Sequence, residues 1–477
     1  MKKRIVALCL LVVMLLGMVS MTGCGNNVAN NKDAEPNFVV PEVGFNPDEP
    51  VTITFAHTMG AKPLSVLLPY IEEFNKLYPN ITVLQSSYGG WGDINGQINT
   101  EIAGGNQPNV AYCYPDHVAM YNIAKSVVTL DNLIASEVVV PGTNEVLGLT
   151  QEQIDDFVAS YYNEGKAYGD GLMYTMPMSK STEVLFYDKT FFTEHGLKVP
   201  TTWDEMWEVC EQILKIDPDC YPLGYDSEAN WFITLCEQMK SGYTSVENGG
   251  QFLFDNETNR NVIKELREYY QKGYFTTQEL FGSYTSNLFV EQDDTRCYMG
   301  IGSTGGTSYQ MSNNDTDDGS FAFEVGVAPL PQYDAENKAA ISQGPSLCIL
   351  KGKDTTDQEI LASWLFVKFL CTNIDFQAEF SMKTGYSPVL KSVTENEIFA
   401  NWLAGANGYE ELVAMGVNIG IATRDDQFVS PAFVGSSKAR VQVGSLLIKC
   451  ISEDLAGADL DAFVKAAFQD AIDECEY

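Results

Sequence analysis

The chain has 477 residues, 45% of them apolar and 12% aromatic, which is enough to bury two sizeable cores and excludes disorder over most of its length. Lys and Arg number 29 against 64 Asp and Glu, a formal charge of −35, so a nucleic-acid partner is excluded because binding would work against the protein's own field. Eleven cysteines with no CxxC pair are too sparse for a disulfide scaffold or zinc ribbon, and most read as buried free thiols.

Lys2, Lys3 and Arg4 precede the apolar run from Ile5 to Val19, which is short for a membrane span and predicts a secretory signal over residues 1–23. The run ends in Met21-Thr22-Gly23-Cys24, which resembles the lipobox of bacterial lipoproteins. That resemblance implies acylation of Cys24 and attachment to the outer face of the bacterial cytoplasmic membrane, with the folded part extracellular. Residues 24–50, rich in Asn and Pro, read as a lipidated flexible tether.

Val51 to Ala56 is a β-branched run, and Leu64, Leu67, Leu68, Ile71, Phe74 and Leu77 follow at helical spacing. Ile81 to Tyr88 predicts the next strand, Ile94 to Ala103 a helix, and Asn109 to Tyr114 a third strand. Such alternation argues for an α/β fold with a parallel sheet, whose ligands sit beyond the carboxyl ends of the strands. Those ends carry His57-Thr58, Tyr88-Gly89-Gly90-Trp91 and Tyr114-Pro115-Asp116, which are expected to form one wall of a cleft. A second unit starts near Glu183 to Tyr187. It continues through a helix whose start at Thr202-Trp203-Asp204-Glu205 has capping-box spacing. Helices are expected at residues 261–271 and 361–371, and short buried strands at 297–302, 325–328 and 346–350. Trp203, Trp207, Trp364 and Trp402 sit in helical patterns and are assigned to the core.

The segments Met176 to Lys189 and Gly196 to Glu205 resemble the family 1 extracellular solute-binding proteins of ABC importers, the group that contains the maltose-binding protein. The similarity continues through Gly326 to Pro331, Gln343 to Ser346, Trp364 to Leu370 and Thr384 to Pro388. It is most similar to the branch containing the glycerol-3-phosphate-binding protein, on His57-Thr-Met, Tyr88-Gly-Gly and Met176-Pro with Ser181-Thr182. The resemblance implies a type II two-lobed periplasmic-binding-protein-like fold that closes on a solute like a hinged trap. Residues 51–178 and 303–345 would form lobe 1, and 179–302 and 346–477 lobe 2. Crossings between the lobes would fall near 177–182, 300–305 and 343–347. Carried over position by position, the implied ligand-facing residues are Tyr88, Asp116, Ser181, Ser303, Gly344, Tyr386 and Arg440.

Sugars present hydroxyl rims and apolar CH faces, so a site for them needs flat aromatics and short polar groups. Tyr88, Trp91, Asp116, Ser181, Ser303 and Tyr386 supply both kinds. Trp91 equally suits packing on its own lobe, and Ser303-Thr-Gly-Gly306 equally suits a plain turn. His57, His117 and His195 lack metal-ligand spacing. The acidic run at residues 313–319 fails the calcium-loop pattern, since Val325 stands where the bidentate Glu belongs. No cofactor or metal is expected. The function expected is a non-enzymatic, monomeric receptor that takes a sugar or oligosaccharide and delivers it to an ABC permease. A polyol-phosphate ligand is the alternative, and a lipid-anchored glycoside hydrolase using a pair of the acidic residues is the rival from another class.

Overall fold

The computed structural model describes residues 34–291, 296–311 and 322–476. The signal segment, Cys24 and the acidic run at 313–319 lie outside the described residues. The strands are Val51–His57 (β1), Ile81–Ser87 (β2), Val110–Cys113 (β3), Met176–Pro177 (β4), Ser181–Asp188 (β5), Tyr221–Tyr225 (β6), Thr244–Ser245 (β7), Gln251–Phe252 (β8), Phe275–Thr277 (β9), Cys297–Ser303 (β10), Val325–Pro329 (β11), Ala340–Gln343 (β12), Ser346–Ile349 (β13) and Gln427–Phe428 (β14). They build two main sheets, one in the order β2-β1-β3-β13-β4 and the other β14-β12-β5-β10-β6-β9 with β11 also on β5. Each sheet has its own apolar core.

The first three strands pair in parallel, as the alternation of strands and helices predicts, because each is linked to the next by a helix that crosses one face. β13 and β4 then add antiparallel, so the first sheet is mixed. The helix Ala61–Leu77 buries Val66, Leu67, Tyr70, Ile71 and Phe74, the stripe its spacing requires. The helix Trp203–Ile216 begins with Thr202 accepting from the Glu205 amide in a reciprocal capping box. Trp203 and Trp207 are buried in the second core, and Trp364 in the first, where its indole donates to the Leu147 carbonyl at 2.8 Å. Trp402 is only partly buried against that first core.

The lobe boundaries differ from the expected ones. β12 pairs with β5 through Ser342 and Gln343, and β11 pairs with β5 from Val325 to Pro329, so residues 325–343 belong to the second sheet. β13 inserts between β3 and β4, and the apolar residues from Leu347 to Val417 fill the first core, while those from Ala439 to Cys475 fill the second. The short apolar runs at 325–328 and 346–350 suit a buried strand in either sheet, and only the register assigns them. Ser303 still pairs with Glu183 at the end of β10, so 300–305 is not a crossing. Crossings occur between β4 and β5, between β12 and β13, and through residues 418–435. The expected tether also differs over residues 34–50. Phe38 and Phe45 are buried in the first core, and the Asn37 amide group donates to the Val127 carbonyl at 2.7 Å. Two aromatic anchors outweigh a composition that is otherwise that of a linker.

Lys180 stands where the first two crossings run side by side. Its ammonium, with no exposed side-chain surface, lies 2.6 Å from Glu164 Oε1 and donates to Ser346 Oγ at 2.9 Å. Removing one partner of a buried pair leaves an uncompensated charge. Lys180→Met is therefore expected to cost about 3–5 kcal/mol, and the double variant with Glu164→Leu to recover most of it, as measured by urea unfolding. Equal stability of the single and double variants would contradict this.

Candidate functional site

The two lobes enclose a cleft of about 630 Å³. Lobe 1 contributes Trp91, which opens the helix Trp91–Gly104, Tyr114 just past β3, and Tyr386. Lobe 2 contributes Asp226 after β6, Gln278 after β9 and Ser303 at the end of β10, the carboxyl ends of three parallel strands. Ser181 and Glu183 project from the same face of β5, two residues apart.

The aromatic surfaces are held by packing. Trp91 stacks on Tyr114 with ring centroids 4.2 Å apart and lies nearly parallel to Tyr112 at 6.1 Å. Tyr386 lies on Gly305, where a Cβ would come within 2.7 Å of its ring, so glycine there is a matter of space. Burial, with Tyr309 nearby, pushes the Tyr386 phenol up to about 12. Tyr284 and Tyr309 line the cleft and are 59% and 70% exposed, with the Lys62 ammonium 5.8 Å from the Tyr309 ring centroid.

The polar floor is a hydrogen-bonded chain. Glu183 accepts from the Tyr225 hydroxyl at 2.6 Å and from Asn230 Nδ2 at 3.0 Å, while Arg440 donates to Asn230 Oδ1. Burial pushes the Glu183 carboxyl up to about 7, against the opposing pull of those two donors and of the Arg440 charge. Burial also raises Asp226, whose Oδ1 accepts from the Thr285 amide at 2.6 Å and its hydroxyl at 2.7 Å. Among the described residues no group of three His, Cys, Asp or Glu is placed to hold a metal ion.

Of the residues singled out in the sequence, Trp91, Ser181, Ser303, Tyr386 and Arg440 line the cleft. Tyr88 does not: its ring packs on the first core and its hydroxyl donates to Glu101 at 3.3 Å. Asp116 lies in a smaller adjoining pocket, at the second residue of the helix Pro115–Tyr121 and two residues beyond Tyr114. Gly344 serves the crossing. Its φ is +96°, and a Cβ there would meet the Ser179 carbonyl at 2.7 Å. His57 is fully buried, accepting from the Met59 amide at 3.1 Å and bonded to Gln85 at 2.8 Å.

Glu183, Asp226, Asn230, Gln310, Tyr284 and Tyr309 line the cleft without having been singled out. The period-2 alternation from Ser181 pointed to Glu183. Asp226 was hidden because its strand, Tyr-Pro-Leu-Gly-Tyr, carries two poor strand formers.

The raised Glu183 carboxyl fixes the sign of a pH effect. Between its ordinary value of 4.5 and about 7, the folded protein keeps a proton that the unfolded chain has released. Stability therefore falls as pH rises through that window and levels off above it. Glu183→Gln is expected to flatten this part of the melting-temperature profile by an effect of the order of 1–3 kcal/mol. Parallel profiles for the two proteins would assign the titration elsewhere.

A model of the family described as bacterial extracellular solute-binding protein matches residues 69–406. The chain is 25% identical over 363 residues to the sn-glycerol-3-phosphate-binding periplasmic protein of Salmonella typhimurium, covering 72% of this chain and 75% of that protein. It is 26% identical over 252 residues to the protein of that name from Pectobacterium atrosepticum, where the match spans about half of each chain, 50% of this one and 52% of the relative. Among solved structures it is similar to the glycerophosphocholine complex of UgpB from Mycobacterium tuberculosis, with a TM-score of 0.68 at 17% identity over 89% of this chain and 98% of that one. The cyclic α-maltosyl-1,6-maltose binding protein of Arthrobacter globiformis gives a TM-score of 0.67 at 17% identity over 89% and 99%. Both show the fold, two lobes about a cleft. The chain belongs to the family of bacterial extracellular solute-binding proteins.

Proposed function

We propose that this protein is the lipid-anchored receptor of an ABC importer, capturing a neutral sugar or oligosaccharide in the cleft and delivering it to a membrane permease. The observation that carries this is the cleft wall. Ring faces from both lobes, Trp91, Tyr114, Tyr284, Tyr309 and Tyr386, surround hydroxyl, amide and carboxylate groups. Apolar CH faces stack on the rings while hydroxyl rims exchange hydrogen bonds with the floor. Family membership supports the receptor role. The lipobox resemblance at Cys24 supports the anchor, and no helix of the described residues is long and apolar enough to cross a membrane.

A polyol-phosphate ligand is the second reading, favoured by the names of the sn-glycerol-3-phosphate-binding relatives and by Arg440 on the wall. Against it, Arg440 already donates to Asn230, and Glu183 and Asp226 share the wall with it. A phosphate needs a charge-assisted fork or several amides to offset its lost hydration. Catalysis finds no support in the family, whose members bind solutes.

Mass spectrometry of the small molecule that co-purifies, followed by isothermal titration, tests the reading. Trp91→Ala is expected to weaken the neutral ligand roughly tenfold to a hundredfold, and Arg440→Gln to leave most of the affinity. A phosphorylated co-purifying ligand whose binding Arg440→Gln abolishes would establish the second reading instead. Conversion of the ligand to products by the purified protein would contradict both.

A further inference from the structure

Two carboxyls line the cleft, and their surroundings differ. Both oxygens of Glu183 are engaged, one by the Tyr225 hydroxyl and the other by Asn230 Nδ2. On Asp226, Thr285 takes a single oxygen, Oδ1, with its amide at 2.6 Å and its hydroxyl at 2.7 Å, and the Ser286 amide adds to their pull. Two short bonds on one oxygen fix the plane of the carboxylate and turn the other oxygen, Oδ2, away from Thr285. Thr285 is itself locked. It is fully buried against Gly224 of β6, where a Cβ would come within 2.6 Å of the Thr285 Cβ. A side chain at 224 would push Thr285, and Asp226 with it, out of position.

Gln310 stands beside Oδ2. It follows the turn Thr304–Tyr309, and its backbone amide donates to the Thr307 carbonyl at 3.0 Å. No side chain separates the two, because the residue between them is Gly302: a Cβ there would lie 3.3 Å from Asp226 Oδ2 and 3.2 Å from Gln310 Nε2. Having the amide nitrogen, rather than its oxygen, beside the carboxylate is the arrangement electrostatics favours. Asp226, which is only partly buried, lines the cleft together with Gly302 and Gln310. The floor therefore presents a charged acceptor and a neutral donor side by side. A hydroxyl uses both, giving its proton to Asp226 and accepting from Gln310. An ammonium group cannot accept. A phosphate dianion cannot donate, and it would meet the carboxylate's charge at close range.

We infer that Asp226 and Gln310 form a hydroxyl-recognition pair on the floor of the cleft, held ready by Thr285, and that this pair selects a neutral polyhydroxy ligand over ligands bearing ammonium or phosphate groups. The inference rests on the receptor reading above and assigns to that site two specificity-determining residues and, in Thr285, a positioning residue.

The test is a thermal-shift panel of maltotriose, xylotriose, sorbitol, glucosamine and sn-glycerol-3-phosphate on the parent protein, followed by isothermal titration of the neutral probe that gives the largest shift. Asp226→Asn keeps the shape but puts a donor where an acceptor stood, and is expected to weaken that probe roughly tenfold to a hundredfold. Because burial already disfavours the Asp226 charge, this variant is expected to melt at or above the parent's temperature, so that lost affinity is not lost fold. Gln310→Met removes the donor and is expected to weaken the probe roughly threefold to tenfold. Thr285→Val removes one bond on Oδ1 and is expected to weaken it roughly threefold, whereas Thr285→Ser, which keeps the hydroxyl, restores the affinity. Full affinity in both Asp226→Asn and Gln310→Met would overturn the pair and leave the receptor reading intact, and a loss in only one of them would overturn a hydroxyl shared between the two. A larger shift with glucosamine or sn-glycerol-3-phosphate than with any neutral probe would overturn the selectivity. Failure of every probe to bind the parent protein would instead sink the neutral-sugar reading, and the pair with it.

Discussion

Everything in the cleft hangs on how two strands of chain pass each other between the lobes. β4 leads into β5 as β12 leads into β13, and the two crossings lie side by side, with Met178 and Ser179 donating to the Pro345 carbonyl. Lys180 fixes their register by bonding Glu164 on one side and Ser346 on the other, entirely out of water. A third segment joins them, since Lys180 and Ser387 exchange backbone hydrogen bonds. From that point Ser181 and Glu183 project from the start of β5, Gln343 from the end of β12, and Tyr386 from the segment alongside. Gly344 can hold its φ of +96° there because it has no Cβ to meet Ser179. A slip of one residue at this point would turn Ser181 and Glu183 to the opposite face of β5.

The cleft built on that frame combines rigid apolar faces with a polar floor that is only partly satisfied from within. Stacking of Trp91 on Tyr114 and of Tyr386 on Gly305 fixes the rings before any solute arrives, which lowers the entropy cost of binding. The carboxyls of Glu183 and Asp226 are buried enough to titrate above their ordinary range, and Glu183 is held by Tyr225 and Asn230. Such a floor favours a ligand that donates hydrogen bonds and brings no negative charge of its own. The overall charge of −35 acts in the same direction at long range.

Local structure was legible in the sequence wherever one periodicity dominated. The first three strands, the helices between them and the capping box at Thr202 follow directly from alternation, spacing and side-chain chemistry. The resemblance to solute-binding proteins led to Ser181, Ser303, Tyr386 and Arg440. Sheet membership was not legible, because β11 and β13 are both short apolar runs and their partners lie well over a hundred residues away. Residues 34–50 misled for a related reason. Phe38 and Phe45 look like isolated apolar residues in a linker until the surface that receives them has been assembled. Tyr284 and Tyr309 reach the cleft from segments with no hydrophobic period to announce them, and Asp226 follows a strand interrupted by Pro222 and Gly224.

The central claim is that one solute is held by both lobes at once, so that occupancy and closure are the same event. Small-angle X-ray scattering of the protein with and without a saturating concentration of its co-purifying ligand tests this most directly. The account predicts a smaller radius of gyration in the bound state, with the compaction reduced in Trp91→Ala at the same ligand concentration. Identical radii, at a ligand concentration shown by titration to fill the site, would contradict it.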